Sequence, residues 1–292
     1  MYTIESKDLR VNISATGAEL LNITGKKTGK EYLWQGDPAW WDGRAPILFP
    51  ILCSLKDGKY LFGDETFYMP KHGFVRQAKF NVAEQEASMI IFEFEDTEET
   101  FDMYPFSFVF QVIFEVVGTK LFTTYRVINK DEDDCMYFSA GAHEAFNIPL
   151  HQGESFEDYY LEFDNVSAYV REKVNAQGLM SGNTAVVIDH GNTLKLRPDL
   201  FNEDALIFRN IQSEAVSVKS TKSGTRIDYH FGGAPHLGIW QKPGAPYICI
   251  EPWFGLPDEA NHDYKIENKT GIVKLAANDT WTWTHSISIY ES

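Results

Sequence analysis

Alternation of apolar and polar residues dominates the chain between positions 80 and 129. Three consecutive stretches show it most densely, namely Met89–Glu95, Phe106–Val116 and Leu121–Asn129. A period of two places neighbouring side chains on opposite faces, as in a strand with one buried face. No stretch of a dozen residues keeps a helical period. The pattern therefore predicts strands in series and excludes a helical bundle.

Short strand signals recur along the rest of the chain. The N-terminal stretches Tyr2–Ser6 and Leu9–Ser14 alternate, and so does the closing stretch Trp281–Ile289. Glycine, proline and aspartate turns separate many such segments, which is typical of an all-β sandwich or barrel. We find no linker, low-complexity tract or repeat of fixed period. Residues 1–292 are therefore predicted to form a single all-β domain with few helices.

Charge and composition limit the partners. The formal net charge of −16 predicts repulsion of nucleic acid and of anionic membranes. The sequence shows no secretory signal, and its longest apolar run, Ala45–Leu55, is too short to span a bilayer. Three cysteines without metal-ligand spacing favour buried free thiols in a reducing cytoplasm, at Cys53, Cys135 and Cys249. We therefore expect a cytoplasmic protein that binds a small molecule.

A candidate catalytic carboxylate follows a strongly apolar segment. Tyr247–Ile250 indicates a buried strand, and Glu251 follows it directly, with Pro252 next. Because proline favours an extended conformation of the preceding residue, Glu251 is expected at the strand end, beside Trp253. A carboxylate among aromatic side chains is either a general base with a raised pKa or the buried partner of an arginine or lysine. Residue types alone leave both functions open.

Two of the eight histidines, His72 and His143, have small neighbours at the ends of apolar segments. Glycine or alanine beside an imidazole leaves it room to face a ligand, although a hydrogen-bonded core histidine is an equal alternative. These histidines and Glu251 are scattered and lack the spacing of known zinc motifs, so no metal site is predicted. The sequence also contains no P-loop, dinucleotide-binding fingerprint or nucleophile elbow. Nucleotide binding and serine hydrolase chemistry therefore have no support in the sequence.

Seven motifs follow one another along the chain in the order typical of one enzyme family. They are Gly43–Pro50, Asp57–Tyr60, His72–Arg76, Tyr104–Phe108, Gly141–Asn147, Asp204–Ile207 and Ile250–Gly255. The His-Gly-Phe-x-Arg, His-x-x-Phe-Asn and Glu-Pro-Trp motifs are the most specific of them. Together they resemble the aldose 1-epimerase (galactose mutarotase) family. Over most of its length the chain is most similar to the LacX-type bacterial branch.

The resemblance implies the large two-sheet β-sandwich of galactose mutarotases, their supersandwich fold, and interconversion of the α and β anomers of an aldose. The C1 hydroxyl loses a proton while the ring oxygen gains one, so the ring opens and recloses on the other face. By motif match Glu251 is the base on the C1 hydroxyl. His143 is the acid on the ring oxygen, since an imidazole titrates near neutrality. His72 is expected to hydrogen-bond near the ring oxygen, and Asp204 to bind sugar hydroxyls.

The motifs determine the substrate less well than the reaction. Better-known mutarotases carry an Asn-Arg pair where this chain has Cys53–Ser54. Arg44 is the nearer match for a sugar-binding arginine, as in the hexose-6-phosphate branch, where Arg76 also has a counterpart. Two arginines at one site suit a phosphosugar, because guanidinium binds phosphate in a bidentate manner. The acidic net charge favours a free hexose, so both substrates remain open.

Two further functions remain open from the sequence. A non-catalytic carbohydrate-binding protein would keep Asp204 and a stacking aromatic, Trp253 or Trp240, but would not need Glu251 and His143 together. A glycoside hydrolase would use Glu251 and Asp204 as its two carboxylates. The joint presence of Glu251 and His143 weighs against the non-catalytic protein, and only the family resemblance weighs against the hydrolase. We expect a cofactor-independent monomer or homodimer that acts on a hexose or hexose phosphate.

Overall fold

A computed structural model describes residues 1–291 of the chain. Within that range the one α-helix is a six-residue segment, α1 (Glu98–Met103), and four single 3-10 turns occur at Lys56–Gly58, Val75–Gln77, Phe156–Asp158 and Ile266–Asn268. The predicted all-β class with few helices is therefore confirmed. No helix among these residues has the length and apolar character needed to cross a membrane.

Twenty-one strands lie within residues 1–291. In chain order they are β1 (Tyr2–Glu5), β2 (Leu9–Ile13), β3 (Leu20–Gly25), β4 (Lys59–Phe62), β5 (Glu65–Tyr68), β6 (Asn81–Gln85), β7 (Met89–Glu95), β8 (Phe108–Val117), β9 (Lys120–Asn129), β10 (Met136–Phe138), β11 (Ala140–Gly141), β12 (Glu144–Asn147), β13 (Tyr159–Val174), β14 (Met180–Lys195), β15 (Leu206–Phe208), β16 (Ala215–Ser220), β17 (Arg226–His230), β18 (His236–Trp240), β19 (Tyr247–Phe254), β20 (Val273–Leu275) and β21 (Thr280–Tyr290).

One antiparallel sheet of 14 strands organises the molecule. Its order is β11-β19-β18-β15-β13-β16-β17-β21-β9-β8-β7-β6, with β12 also paired to β19 and β14 to β13. Three small sheets accompany it, made of β1-β2-β3, of β4-β5 and of β10-β20. Strands that are far apart in the chain are neighbours in this order, for example β9 and β21 or β12 and β19, so residues distant in sequence lie side by side across the large sheet.

The alternation that predicts the strands also places the core. Along β9 every second side chain is buried, and β8 presents Phe108, Phe110 and Phe114 to the same interior. The ring of Phe49 stacks on Phe110 with centroids 4.6 Å apart. Burying each such ring stabilises the fold by about 1.5–3 kcal/mol. The predicted buried face is therefore confirmed for these strands.

The thiols follow the prediction in part. Cys53, Cys135 and Cys249 are all free, as the odd count and spacing predict. Only Cys249 is fully buried, because it lies in the middle of β19. Cys53 and Cys135 lie in connections outside the strands and are partly exposed, so the expectation that all three are buried is wrong for these two.

Two glycines make room for a tryptophan at the centre of the large sheet. Gly141 of β11 lies opposite Trp253 of β19, and Gly238 of β18 lies opposite Glu251. A Cβ atom at Gly141 would stand 2.7 Å from Trp253 Cδ1, and one at Gly238 would stand 2.5 Å from Trp253 Cζ2. Any side chain at either position would clash with the indole ring. The two glycines therefore fix where Trp253 lies beside Glu251.

A buried ion pair fixes the chain that leaves β19. Asp258 Oδ1 accepts a hydrogen bond from Lys269 Nζ at 2.7 Å, and both side chains are 1% exposed. The other carboxylate oxygen, Oδ2, accepts from the backbone N–H of Lys56 at 2.8 Å. Asp258 thereby joins three separate loops next to the strand that carries Glu251.

Candidate active site

A cavity of about 230 Å³ opens beside β19. Six of the seven side chains that the sequence assigns to the site line it, namely His72, Arg76, His143, Asp204, Glu251 and Trp253. They come from four separate motifs. The strand pairing of the large sheet and its loops bring these motifs to one place.

The seventh residue, Arg44, does not line the cavity, and its assignment to the site is corrected. Its Nη1 atom donates to the carbonyl oxygen of Leu21 at 2.9 Å and to Gln35 Oε1 at 3.3 Å. Its backbone N–H donates to Glu19 Oε1 at 2.9 Å. Arg44 therefore connects its own loop to the region around β3. Its guanidinium donates hydrogen bonds there to a backbone carbonyl and a side-chain amide oxygen, both uncharged.

His143 and Glu251 form the centre of the site. Their atoms Nε2 and Oε1 are 3.3 Å apart, and the two side chains are 9% and 3% exposed. His143 lies in the two-residue interruption between β11 and β12, both of which pair with β19. Glu251 lies inside β19 rather than at a strand end, because the strand continues through Pro252 to Phe254. Strand pairing thus fixes both groups in position.

Burial sets the protonation of this pair. It raises the pKa of Glu251 well above the usual carboxyl value, and it lowers the pKa of His143 to about 3. The sequence-based expectation of a histidine that titrates near neutrality is therefore wrong for His143. At pH values between the two pKa values, His143 and Glu251 together hold one proton. Because their side chains are in contact, either of them can carry it.

His72 is held in one tautomer by a neighbouring loop, the one that carries Cys53. Its Nδ1 accepts a hydrogen bond from the backbone N–H of Cys53 at 3.1 Å, so the neutral ring carries its proton on Nε2. Burial lowers its pKa well below the usual value, which keeps the ring neutral. The following Gly73 has φ +71°, and a Cβ there would lie 2.1 Å from the carbonyl oxygen of Phe49. Only glycine fits this turn.

Three tryptophans wall the cavity. Trp41 packs beside the acid–base pair, with its ring centroid 5.0 Å from that of His143, and Trp240 meets Trp41 edge-on at 5.6 Å. Trp253 is only 2% exposed, so it is a wall set into the core rather than an open platform. Trp41 was missed in the sequence, where its only signal is the Trp40-Trp41 doublet before a glycine.

Two cationic side chains line the same cavity. Lys71, which the sequence analysis missed, is exposed and directly precedes the motif that begins at His72. Its positive charge lowers the pKa of Glu251, although burial outweighs that effect. Arg76 has a buried Nε atom with no hydrogen-bond partner among the described residues. Asp204 completes the lining; it is exposed and has a left-handed backbone, with φ +73°.

A buried hydrogen-bonded network lies behind the site. Tyr229 donates its hydroxyl proton to Glu144 Oε2 at 2.6 Å, and His285 Nδ1 lies 2.9 Å from the same hydroxyl oxygen. Burial raises the pKa of Glu144 to about 7, and the charge of Glu144 in turn raises the pKa of Glu251. Glu144 pairs with Ile250, so the two-residue period points it away from the face that carries Glu251. The network was also missed in the sequence.

Comparison with known proteins agrees with this geometry. The family model for aldose 1-epimerase matches residues 1–288. The chain belongs to the aldose 1-epimerase family. The chromosomal protein LacX of Lactococcus lactis subsp. lactis is 33% identical over 98% of this chain and 99% of LacX. The predicted family and its LacX-type branch are therefore confirmed.

Solved structures of this family share the fold. The chain superposes on a galactose mutarotase related enzyme from Lactobacillus acidophilus with a TM-score of 0.94 and 33% identity, covering 99% of this chain and 97% of the other. A galactose mutarotase-like protein from Lactobacillus casei gives a TM-score of 0.93 at 30% identity, covering 99% and 100%. The predicted galactose mutarotase-like β-sandwich is thus confirmed. Family and fold support a sugar epimerase or mutarotase in general.

Proposed function

We propose that the protein is a cofactor-independent mutarotase that interconverts the α and β anomers of a free hexose. One observation carries the proposal, the contact of 3.3 Å between His143 Nε2 and Glu251 Oε1 on the wall of the cavity. Mutarotation needs one proton acceptor and one proton donor at the anomeric centre, and nothing else. A buried imidazole and a buried carboxyl that share one proton supply both.

The proposed reaction starts with Glu251 as a carboxylate and His143 as an imidazolium. Glu251 takes the proton of the C1 hydroxyl while His143 gives its proton to the ring oxygen. The bond between C1 and the ring oxygen breaks, and C1 becomes a carbonyl carbon. Rotation about C1–C2 presents the other face of the carbonyl, and the reverse transfers close the ring. Burial favours the neutral pair, in which Glu251 carries the proton and His143 carries no charge. Transfer of that proton from Glu251 to His143, across 3.3 Å, gives the charged pair with which the reaction starts.

The other lining residues have supporting roles in the proposal. His72, protonated on Nε2, donates a hydrogen bond near the ring oxygen, where negative charge develops as the bond breaks. Asp204 accepts hydrogen bonds from sugar hydroxyls at the opening of the cavity. The rings of Trp41 and Trp240 cover the apolar faces of the sugar and exclude water from the acid–base pair.

Polarimetry tests the function directly. Freshly dissolved α-glucose and α-galactose should reach anomeric equilibrium faster in the presence of the protein, and an aryl glycoside should not be hydrolysed. Dialysis against EDTA should leave the rate unchanged, because the proposed chemistry uses only protein side chains. Absence of any acceleration would support a non-catalytic sugar-binding protein. Release of the aryl group would instead support a glycoside hydrolase.

The pH dependence follows from the two pKa shifts. The pair gains a second proton only as the pH approaches the lowered pKa of His143, about 3, and it loses the shared proton only above the usual pKa of a carboxyl. We therefore expect no loss of kcat/KM from protonation of His143 when the pH falls from 7 to 5, so that the acid limb of the profile lies below pH 5. Initial polarimetric rates across this range measure it. A decline centred near pH 6.5 would indicate a solvated histidine and would contradict the assignment.

A hexose 6-phosphate is the second candidate substrate, and Arg76 is the observation that favours it. The buried Nε of Arg76 lacks a partner among residues 1–291, and Lys71 places a second positive charge on the same cavity. Against this, the net charge of −16 repels an anionic ligand as it approaches. We therefore expect the free hexose to be the better substrate.

Comparing kcat/KM for α-glucose and glucose 6-phosphate at low salt distinguishes the two candidates. We expect no preference for the phosphate, and Arg76→Ala should then leave the turnover of free glucose nearly unchanged. A preference of about tenfold or more for glucose 6-phosphate would establish the second candidate. In that case Arg76→Ala should remove the preference, because a charge-assisted contact of guanidinium with phosphate is among the stronger polar contacts.

A further inference from the structure

A third potential metal ligand lies against the acid–base pair. A ring nitrogen of His143, the Sγ atom of Cys249 and a carboxylate oxygen of Glu251 all lie within 4.8 Å of one another. Cys249 and Glu251 are two residues apart on β19, so their side chains share one face of the sheet. The side chain opposite Cys249 on β18 is Trp240, which lines the cavity. The thiol therefore lies beneath the cavity wall, next to the two reactive groups.

This set of atoms suits one class of cation. A nitrogen, a sulfur and a carboxylate oxygen are the ligand types of Zn²⁺ sites, and three protein ligands leave a fourth position for water. Two ligands bound tetrahedrally at about 2.0–2.1 Å stand roughly 3.3 Å apart. The separation of His143 Nε2 and Glu251 Oε1 is 3.3 Å already. Mg²⁺ and Ca²⁺ prefer oxygen ligands and do not match the thiol and the imidazole.

We propose that His143, Cys249 and Glu251 form an inhibitory binding site for Zn²⁺ and similar thiophilic divalent cations; its inhibitory role rests on the proposed mutarotase function. The cation occupies the atoms that the reaction uses, so His143 and Glu251 can no longer exchange protons with a sugar. Inhibition is therefore competitive with the sugar. Cys249 itself does not line the cavity, and the proposed reaction does not use it.

The charge balance of the bound state favours a divalent cation. On binding, Cys249 releases its thiol proton and the acid–base pair releases its shared proton, and both protons leave to solvent. The cation then carries two positive charges against one thiolate and one carboxylate, with a neutral imidazole as the third ligand. The sum is zero, which is the arrangement that a buried site tolerates best. Because two protons leave, the affinity rises with pH.

The sequence gives no hint of this site. Zinc motifs are recognised by ligands a few residues apart, whereas His143 lies far in sequence from Cys249 and Glu251. The pairing of β12 with β19, in which Ala145 lies opposite Cys249, brings the two segments together. The cation would reach the ligands through the cavity, which exposes His143 and Glu251, and meet the buried thiol behind them.

A binding experiment tests the site without any activity assay. Cd²⁺ is titrated into metal-free protein, and the ultraviolet charge-transfer absorption of a Cd²⁺–thiolate bond is followed. We expect one equivalent of Cd²⁺ to give the band in the wild type and in Cys53→Ala and Cys135→Ala. Cys249→Ala should not give it, and Cys249→Ser serves as a second variant of closer volume, with thermal melting as the check of folding. No band in the wild type, or an equal band in the Cys249 variants, would overturn the site.

An activity experiment tests the inhibitory role separately. Zn²⁺ should lower the wild-type mutarotation rate by raising the apparent KM, and EDTA should restore it. Cys249→Ala should keep the uninhibited rate and require at least about tenfold more Zn²⁺ for the same inhibition. A Cd²⁺ band in a protein without mutarotase activity would retain the site and refute both the function and the inhibition. Full activity without a band would refute the site alone.

Discussion

Glu251→Gln should lower kcat for mutarotation by about 10²–10⁴-fold while leaving sugar binding largely intact. The amide keeps the size and hydrogen-bonding capacity of the carboxyl, but it cannot accept the proton of the C1 hydroxyl. His143→Asn should have an effect of similar size, because the ring oxygen of the sugar then loses its proton donor. In the wild type that donor, His143 Nε2, lies 3.3 Å from Glu251 Oε1. Removing both together should add little, since the two groups work as a unit.

Initial polarimetric rates give kcat, and isothermal titration with the sugar gives binding. Glu144→Gln is the matched control, because it makes the same chemical change on a buried carboxyl one residue from His143. With its pKa raised to about 7, Glu144 is half protonated at neutral pH, and Gln resembles the protonated form. This control should keep kcat within about tenfold of wild type. More than half the wild-type rate in Glu251→Gln would contradict its role as the base.

The sequence predicts the fold because its main signal is local. Every second residue of β9 is buried, and that alternation is visible without knowledge of the partner strands. The motifs work in the same way: each carries one or two site residues, such as His72 or Glu251, that lie next to residues needed for a turn or a strand. Local patterns of this kind survive in the sequence and can be recognised one at a time.

The composition of the site depends on pairing between distant segments, and there the predictions were incomplete. Arg44 lies beside a correct motif, yet its guanidinium hydrogen-bonds to Leu21 and Gln35, outside the cavity. Lys71 and Trp41 do line the cavity, although neither residue type signals a site by itself. Which neighbour of a motif faces the cavity is decided by turn geometry, and sequence periodicity does not report that geometry in loops.

Protonation was the least predictable property of the site. A histidine is expected to titrate near neutrality, but burial lowers the pKa of His143 to about 3. The buried Glu144 that influences Glu251 follows His143 in the chain and points to the other face of the sheet. Desolvation depends on everything packed around a group, so it is a property of the assembled fold rather than of a motif.

Lys269→Met should destabilise the protein by about 3–5 kcal/mol, the usual effect of removing one partner from a buried ion pair. The methionine fills similar volume, but Asp258, which is 1% exposed, is left as a buried charge without its counter-ion. Its remaining hydrogen-bond donor is the backbone N–H of Lys56. His262 Nδ1, at 3.7 Å, is too far for a good hydrogen bond. The free energy of unfolding in urea measures the loss.

Two comparisons show whether the effect comes from burial. Lys130→Met breaks the exposed pair with Glu95, at 3.2 Å, and should destabilise the protein by at most about 1 kcal/mol. The double variant Asp258→Asn with Lys269→Met should recover much of the loss, because no uncompensated charge then remains buried. An equal loss in Lys130→Met and Lys269→Met would contradict the argument. Asp258 follows β19 and joins its end to two other loops, so a large loss for Lys269→Met alone would show that a charge pair outside the cavity stabilises the fold next to the strand that carries Glu251.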